Sequence, residues 1–172
     1  VYTGPNVHIG EGFRCDGIPR CLVDPDAEIR VGKGVGFRGG VEIRAHDRAR
    51  VVIEDGVRID RGVRILAAND ALVIVGAGAR IGLYTVFNGG ASIHVGARCL
   101  VSGFVYLQTS MHRTADPSLA IRDQGYDHGT IQIGEGAWLG THVVIMPGCV
   151  IGARAVVGSN AVVTHDVTDG VT

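Results

Sequence analysis

Residues 133–167 read IGEGAWLGTHVVIMPGCVIGARAVVGSNAVVTHDV, and their spacing decides the fold. Ile133, Leu139, Ile145, Ile151, Val157 and Val163 stand six residues apart without a break. Four positions after each comes Ala137, Val143, Cys149, Ala155, Ala161 and Val167. Glycine follows the large aliphatic at 134, 140, 152 and 158, with Met146 and Thr164 as the exceptions. A period of six fits neither an amphipathic helix at 3.6 nor an isolated alternating strand at 2. It fits a prism in which each hexapeptide is a short strand plus a corner and three hexapeptides close one triangular coil. Each large aliphatic then points inward onto its equivalent one coil away, at the strand spacing of about 4.8 Å.

Working outward from this stretch, the same register holds at Val31, Phe37 and Ile43, at Ile53, Ile59 and Ile65, at Val75, Ile81 and Phe87, and at Val95, Val101 and Leu107. The phase slips by a few residues between these sets. The expectation is an all-β single domain over residues 1–172, a parallel β-helix of roughly eight coils and about 40 Å in height. The composition agrees, with 27 glycines for corners and only 5% aromatic residues for a narrow interior.

Charge and composition exclude other classes. A chain that is 46% hydrophobic with a formal net charge of -1 can bury enough surface to fold. Sixteen Lys and Arg against 17 Asp and Glu leave no surplus for a nucleic-acid partner. No apolar run approaches the roughly 20 residues of a membrane helix. The start of the chain lacks a basic segment followed by an apolar block, so a cytoplasmic protein is expected. Cys15, Cys21, Cys99 and Cys149 form no CxxC pair and read as small hydrophobes in a reducing compartment.

Residues 109–132, TSMHRTADPSLAIRDQGYDHGTIQ, are the longest stretch outside the hexad register. An excursion loop on a rigid scaffold is where chemistry is expected. It opens with Ser110, Met111 and His112. An imidazole with its ordinary titration near pH 6.5 can take a hydroxyl proton at neutral pH and return it. Trp138, the sole tryptophan, stands beside inward Leu139 and therefore faces outward. Asn88, in VFNGG, is either a hydrogen-bonding group for an acceptor hydroxyl or part of a plain turn. His94 precedes His112 by three hexads, a spacing that could stack them on one face, but no HxxxxH pair accompanies them and no metal is expected. No Cys or Ser has an evident neighbouring base.

The W-[IL]-G segment, then P-G-[VC]-x-I-G, then V-V-T-x-D-V, resembles the hexapeptide-repeat acyltransferases. The resemblance is to the branch of sugar and polysaccharide O-acetyltransferases and of maltose, galactoside and xenobiotic acetyltransferases. It implies a left-handed parallel β-helix, a homotrimer with sites between subunits, and acetyl-CoA as co-substrate with no metal. It also implies direct transfer of acetyl to a hydroxyl of a sugar or polysaccharide precursor, with His112 as the catalytic base. Trp138 would border the cleft between subunits and contact substrate; Asn88, read from its position alone, is the other substrate-binding candidate. Thr141, Ser159, Asn160, Thr164 and His165 match positions that hold coenzyme A. His142, near Trp138, is the runner-up base. His165 stands where many relatives have a lysine, and Arg154 is the available substitute for its charge. The alternatives are N-acyl transfer to an amino sugar and a non-catalytic β-helix subunit.

Overall fold

A computed structural model describes residues 5–172 of the chain. Three parallel sheets of seven strands wrap one hydrophobic column as a left-handed β-helix. The first face stacks Val7–Ile9, Glu28–Val31, Arg50–Ile53, Leu72–Val75, Ile93–Val95, Ile131–Ile133 and Val150–Ile151. The second face runs from Arg14–Cys15 to Val156–Val157, and the third from Arg20–Val23 to Val162–Val163.

The column has seven levels rather than eight, because most of its coils are longer than three hexads. Val7, Ile29, Val51 and Val73 pair in turn, each step four positions longer than three hexads. Val73 pairs with Ile93, a step two positions longer, and on this face only the last step, from Gln132 to Val150, spans three hexads. The extra residues lie in the strands. Second-face strands such as Gly36–Phe37 have two residues, while Glu28–Val31 and Glu42–Ala45 have four. A four-residue strand adds one inward and one outward position, as at Ala49, Val51 and Ile53, all buried. This addition is the origin of the phase slips between the upstream hexads. Near the C-terminal end the third-face strand Val144–Ile145 is down to two residues.

The inward positions are Ile, Val, Leu and Ala with Phe37 and Phe87, stacked as one continuous core. Cys99 and Cys149 join it, and burial pushes the thiols of Cys21, Cys99 and Cys149 up. The edges between faces close by backbone bonds from one level to the next. Gly34 N, Gly56 N and Gly78 N donate to Glu11, Lys33 and Asp55 carbonyls at 2.8, 2.8 and 2.9 Å.

The regular climb is interrupted once. Ile93 pairs with Ile131, far beyond the reach of one coil, and the intervening chain leaves at the edge between third and first faces. It forms an antiparallel hairpin, Ser110–His112 against Tyr126–His128, with a short 3-10 turn at Ile121–Asp123. No helix among the described residues is long and apolar enough to cross a membrane.

Candidate active site

The hairpin is built from period-two alternation. Ser110 pairs with His128, Met111 with Asp127 and His112 with Tyr126, so Ser110, His112, Tyr126 and His128 share one face. On the other face the Arg113 guanidinium holds Asp127 at 2.7 Å. The His112 ring lies over Tyr126 with centroids 4.2 Å apart, and Tyr126 lies 6.1 Å from His128. The three rings therefore form one row.

Thr109 anchors the hairpin to the solenoid. It is fully buried; its Oγ1 donates to the Asn88 carbonyl at 2.6 Å and accepts from Ala91 N at 3.0 Å. Gly129 N closes the other leg on the Thr109 carbonyl at 2.9 Å. Asn88, half-buried at the end of the third-face strand Val86–Gly89, donates through Nδ2 to Gln108 Oε1 at 2.9 Å. Gln108 Nε2 in turn donates to the Ser110 carbonyl. A short polar chain thus runs from Asn88 to the Ser110 carbonyl, at the start of the strand that carries His112. Gly90 allows the close approach there, because a Cβ at this position would overlap Ser110 Oγ and press on the His128 ring, and the Ser110–His128 pair would have to shift.

One expectation fails at this point. A serine with a neighbouring base does exist, since Ser110 Oγ and His128 Nδ1 lie 2.9 Å apart. The two residues stand near opposite ends of the excursion, and only its antiparallel pairing brings them together. Gln108 and Tyr126 are further members that sequence reasoning does not single out. The available signal for the hairpin is the matching S-M-H and Y-D-H alternation at the two ends of the loop.

His94 does not stack with His112. The insertion carries His112 out of the column, and the residues flanking His94 on the first face are Ile74 and Gln132. His94 Nε2 is buried without a hydrogen-bond partner. No group of three His, Cys, Asp or Glu side chains is gathered to hold a metal among the described residues.

The remaining candidates lie elsewhere on the prism. Trp138 is on the second face, 47% exposed, with Nε1 donating to Ser102 Oγ at 3.2 Å. Thr141, Ser159 and Asn160 are at the second–third edge. Thr141 Oγ1 donates to the Gly103 carbonyl at 2.8 Å, Asn160 N donates to the Thr141 carbonyl at 2.9 Å, and Ser159 packs over Gly140. His142 is on the same edge, stacked on Phe104 at 4.9 Å, which stacks on Tyr84. Thr164 and His165, 2.9 Å apart from Oγ1 to Nδ1, follow the last third-face strand at the edge that carries the hairpin. Arg154 is at the first–second edge, where its N donates to the Glu135 carbonyl. It is not beside His165 within one chain.

Within one chain the candidates therefore form two groups. Asn88, His112, Thr164 and His165 belong to the third–first edge, and Trp138, Thr141, Ser159 and Asn160 to the second face and the edge beyond it.

Residues 130–165 match the family model of the bacterial transferase hexapeptide, six repeats. A protein of Mycobacterium tuberculosis named as a probable acetyltransferase is 34% identical over 89 residues, covering 52% of this chain and 30% of the relative. Galactoside O-acetyltransferase of Lactococcus lactis is 33% identical over 94 residues, 52% of this chain and 44% of the relative. The chain thus spans less than half the length of these curated relatives. A solved structure of galactoside acetyltransferase in complex with coenzyme A superposes with a TM-score of 0.60 at 22% identity, covering 68% of this chain and 56% of that one. Residues 130–165 are thus similar to the repeats of the bacterial transferase hexapeptide model, and the column built on them is similar in fold to galactoside acetyltransferase.

Proposed function

We propose that the protein transfers an acetyl group from acetyl-CoA to a hydroxyl of a sugar or polysaccharide precursor, with His112 as general base. The observation that carries this is the hairpin. It presents the His112 imidazole on an exposed edge, packed on Tyr126 and next to the Asn88–Gln108–Ser110 chain. His112 takes the acceptor hydroxyl proton while the oxygen attacks the thioester carbonyl. The tetrahedral intermediate then collapses, the C–S bond breaks, and the imidazolium returns the proton to the departing thiolate. In this reading Asn88 orients the hydroxyl.

The division of the candidates between two sides of the prism supports a site shared by two copies, with His112 of one chain facing Trp138, Thr141, Ser159 and Asn160 of the next. A homotrimer closes this arrangement with three equivalent sites. The raised pKa values of the buried thiols argue against cysteine as a covalent carrier.

The test is steady-state transfer from acetyl-CoA to a panel of sugars. His112→Ala is expected to lower kcat by about 100-fold or more with unchanged circular dichroism, and EDTA is expected to leave activity intact. The Ser110–His128 pair gives a specific second reading, an acetyl-serine intermediate. Direct transfer predicts no acetyl adduct in the intact mass after mixing with acetyl-CoA alone. An adduct lost in Ser110→Ala would replace direct transfer by the two-step route.

A further inference from the structure

The outward row of the second face changes character along its length. By strand register it runs Arg14, Gly36, Arg58, Arg80, Leu100, Trp138. Beside it, the next outward positions along the chain are Asp16, Arg38 and Asp60. Apart from Trp138, these line an open groove of about 580 Å³ that ends at Ser102, the residue holding the Trp138 indole just beyond it.

Four arginines face two aspartates in this groove. Asp16 is already taken by Arg38 at 2.7 Å. Arg58 bends back over Gly36, its Cδ only 3.2 Å from where a Cβ would stand, and donates to the Gly34 carbonyl. Its stem therefore lies one level nearer to Arg14, and the missing side chain at 36 is what allows this. Arg14 and Arg80 are exposed and make no side-chain hydrogen bond or ion pair among the described residues. Arg58 and Arg80 are directly opposite by register, and the turn of Arg58 toward Gly34 leads its charge away from Arg80, as like charges on neighbouring strands favour. Neither has an ion-pair partner among the described residues.

We propose that this groove binds an acidic oligosaccharide, with carboxylates along the arginine row and a pyranose ring against Trp138. The row crosses five strand steps from Arg14 to Trp138, about 24 Å, which is too long for a single small anion and suits an extended chain of sugars. Guanidinium forks match carboxylates in two-point contacts, and an exposed indole gives a sugar its apolar face. A surplus of only two positive charges is small for a nucleic acid, whose binding scales with the phosphates neutralised. The proposal rests on the acetyltransferase reading only in making this oligosaccharide the acceptor.

The probes are a hexamer of α-1,4-linked galacturonate and, as the neutral control, maltohexaose, with binding followed by calorimetry. The galacturonate hexamer is expected to bind, to weaken steeply from about 50 to about 500 mM NaCl, and to lose at least tenfold in affinity in the double variant R58Q/R80Q. Maltohexaose is expected to bind far more weakly. Tm of the double variant is read beside binding, and R80Q alone, at a side chain without a hydrogen bond or ion pair, is expected to weaken binding with Tm unchanged, which separates loss of binding from loss of fold. Undiminished binding by the double variant, equal binding of maltohexaose, or no binding of the galacturonate hexamer would each overturn the proposal. Loss of coenzyme A affinity in R58Q/R80Q without galacturonate binding would assign the row to donor phosphates and overturn it too. His112→Ala is expected to bind the hexamer normally, so failure of the base assignment and failure of this groove are read separately.

Discussion

At the scale of single residues, the site depends on how closely the hairpin can approach the solenoid. Gly90 sets that approach: its Cα faces Ser110 Oγ and the His128 ring with no room for a methyl group. Gly90→Ala is expected to push the hairpin off its seat, costing about 1–3 kcal/mol as overpacking does, and to raise KM as well as lower kcat. Urea unfolding and steady-state kinetics of the one variant check both parts. A loss of stability with unchanged kinetics would mean that the seat of the hairpin does not matter to transfer. The sequence exposes His112 and Trp138 as candidates because an excursion from the register and an outward tryptophan are visible in one dimension. The contacts of Gly90, Gln108 and Tyr126 are not visible there. They follow from antiparallel pairing between the two ends of a segment that breaks the repeat.

At the scale of elements, the third face carries a charge cluster that ties three levels together. Glu42 lies between Arg44, Arg64 and Arg20, at 2.7, 3.2 and 3.4 Å. The hydrogen bond from Arg44 is the main cause of a carboxyl pKa below its ordinary value, opposed by burial and aided by the charges of all three arginines. A carboxyl that is more acidic in the folded chain stabilises fully above its unfolded pKa, about 4.3, and loses that contribution as pH falls through the folded value. Glu42→Gln is therefore expected to lower Tm at pH 7 and to make little difference near pH 2. A Tm gap that stays constant from pH 7 to pH 2 would show that the loss is one of packing and not of charge. Strand existence and inward positions are legible from the hexads in the coils that carry them. The lengths of the coils are less so, because an added residue pair keeps the inward–outward alternation and shows in sequence only as a slip of phase.

At the scale of the whole molecule, the two groups of candidates on opposite sides of one prism make assembly the central prediction. Light scattering at micromolar concentration is expected to give three times the chain mass. A monomer with full activity would remove the shared site and leave the hairpin to work alone. The left-handed column is legible from the resemblance and not from the period, since a repeat of six is silent about hand.

The uneven coils also bear on how such a chain finds its pairing. A solenoid of identical repeats can zip up one rung out of step, because each rung fits any other. Here a slipped rung would set a four-residue strand against a two-residue one wherever a long N-terminal turn met a short C-terminal one, leaving a backbone donor and acceptor without partners. Misregistered folding is thereby confined to the three equal turns near the N-terminal end. The later turns differ from one another in length, so errors in threading do not reach the part of the molecule that carries His112.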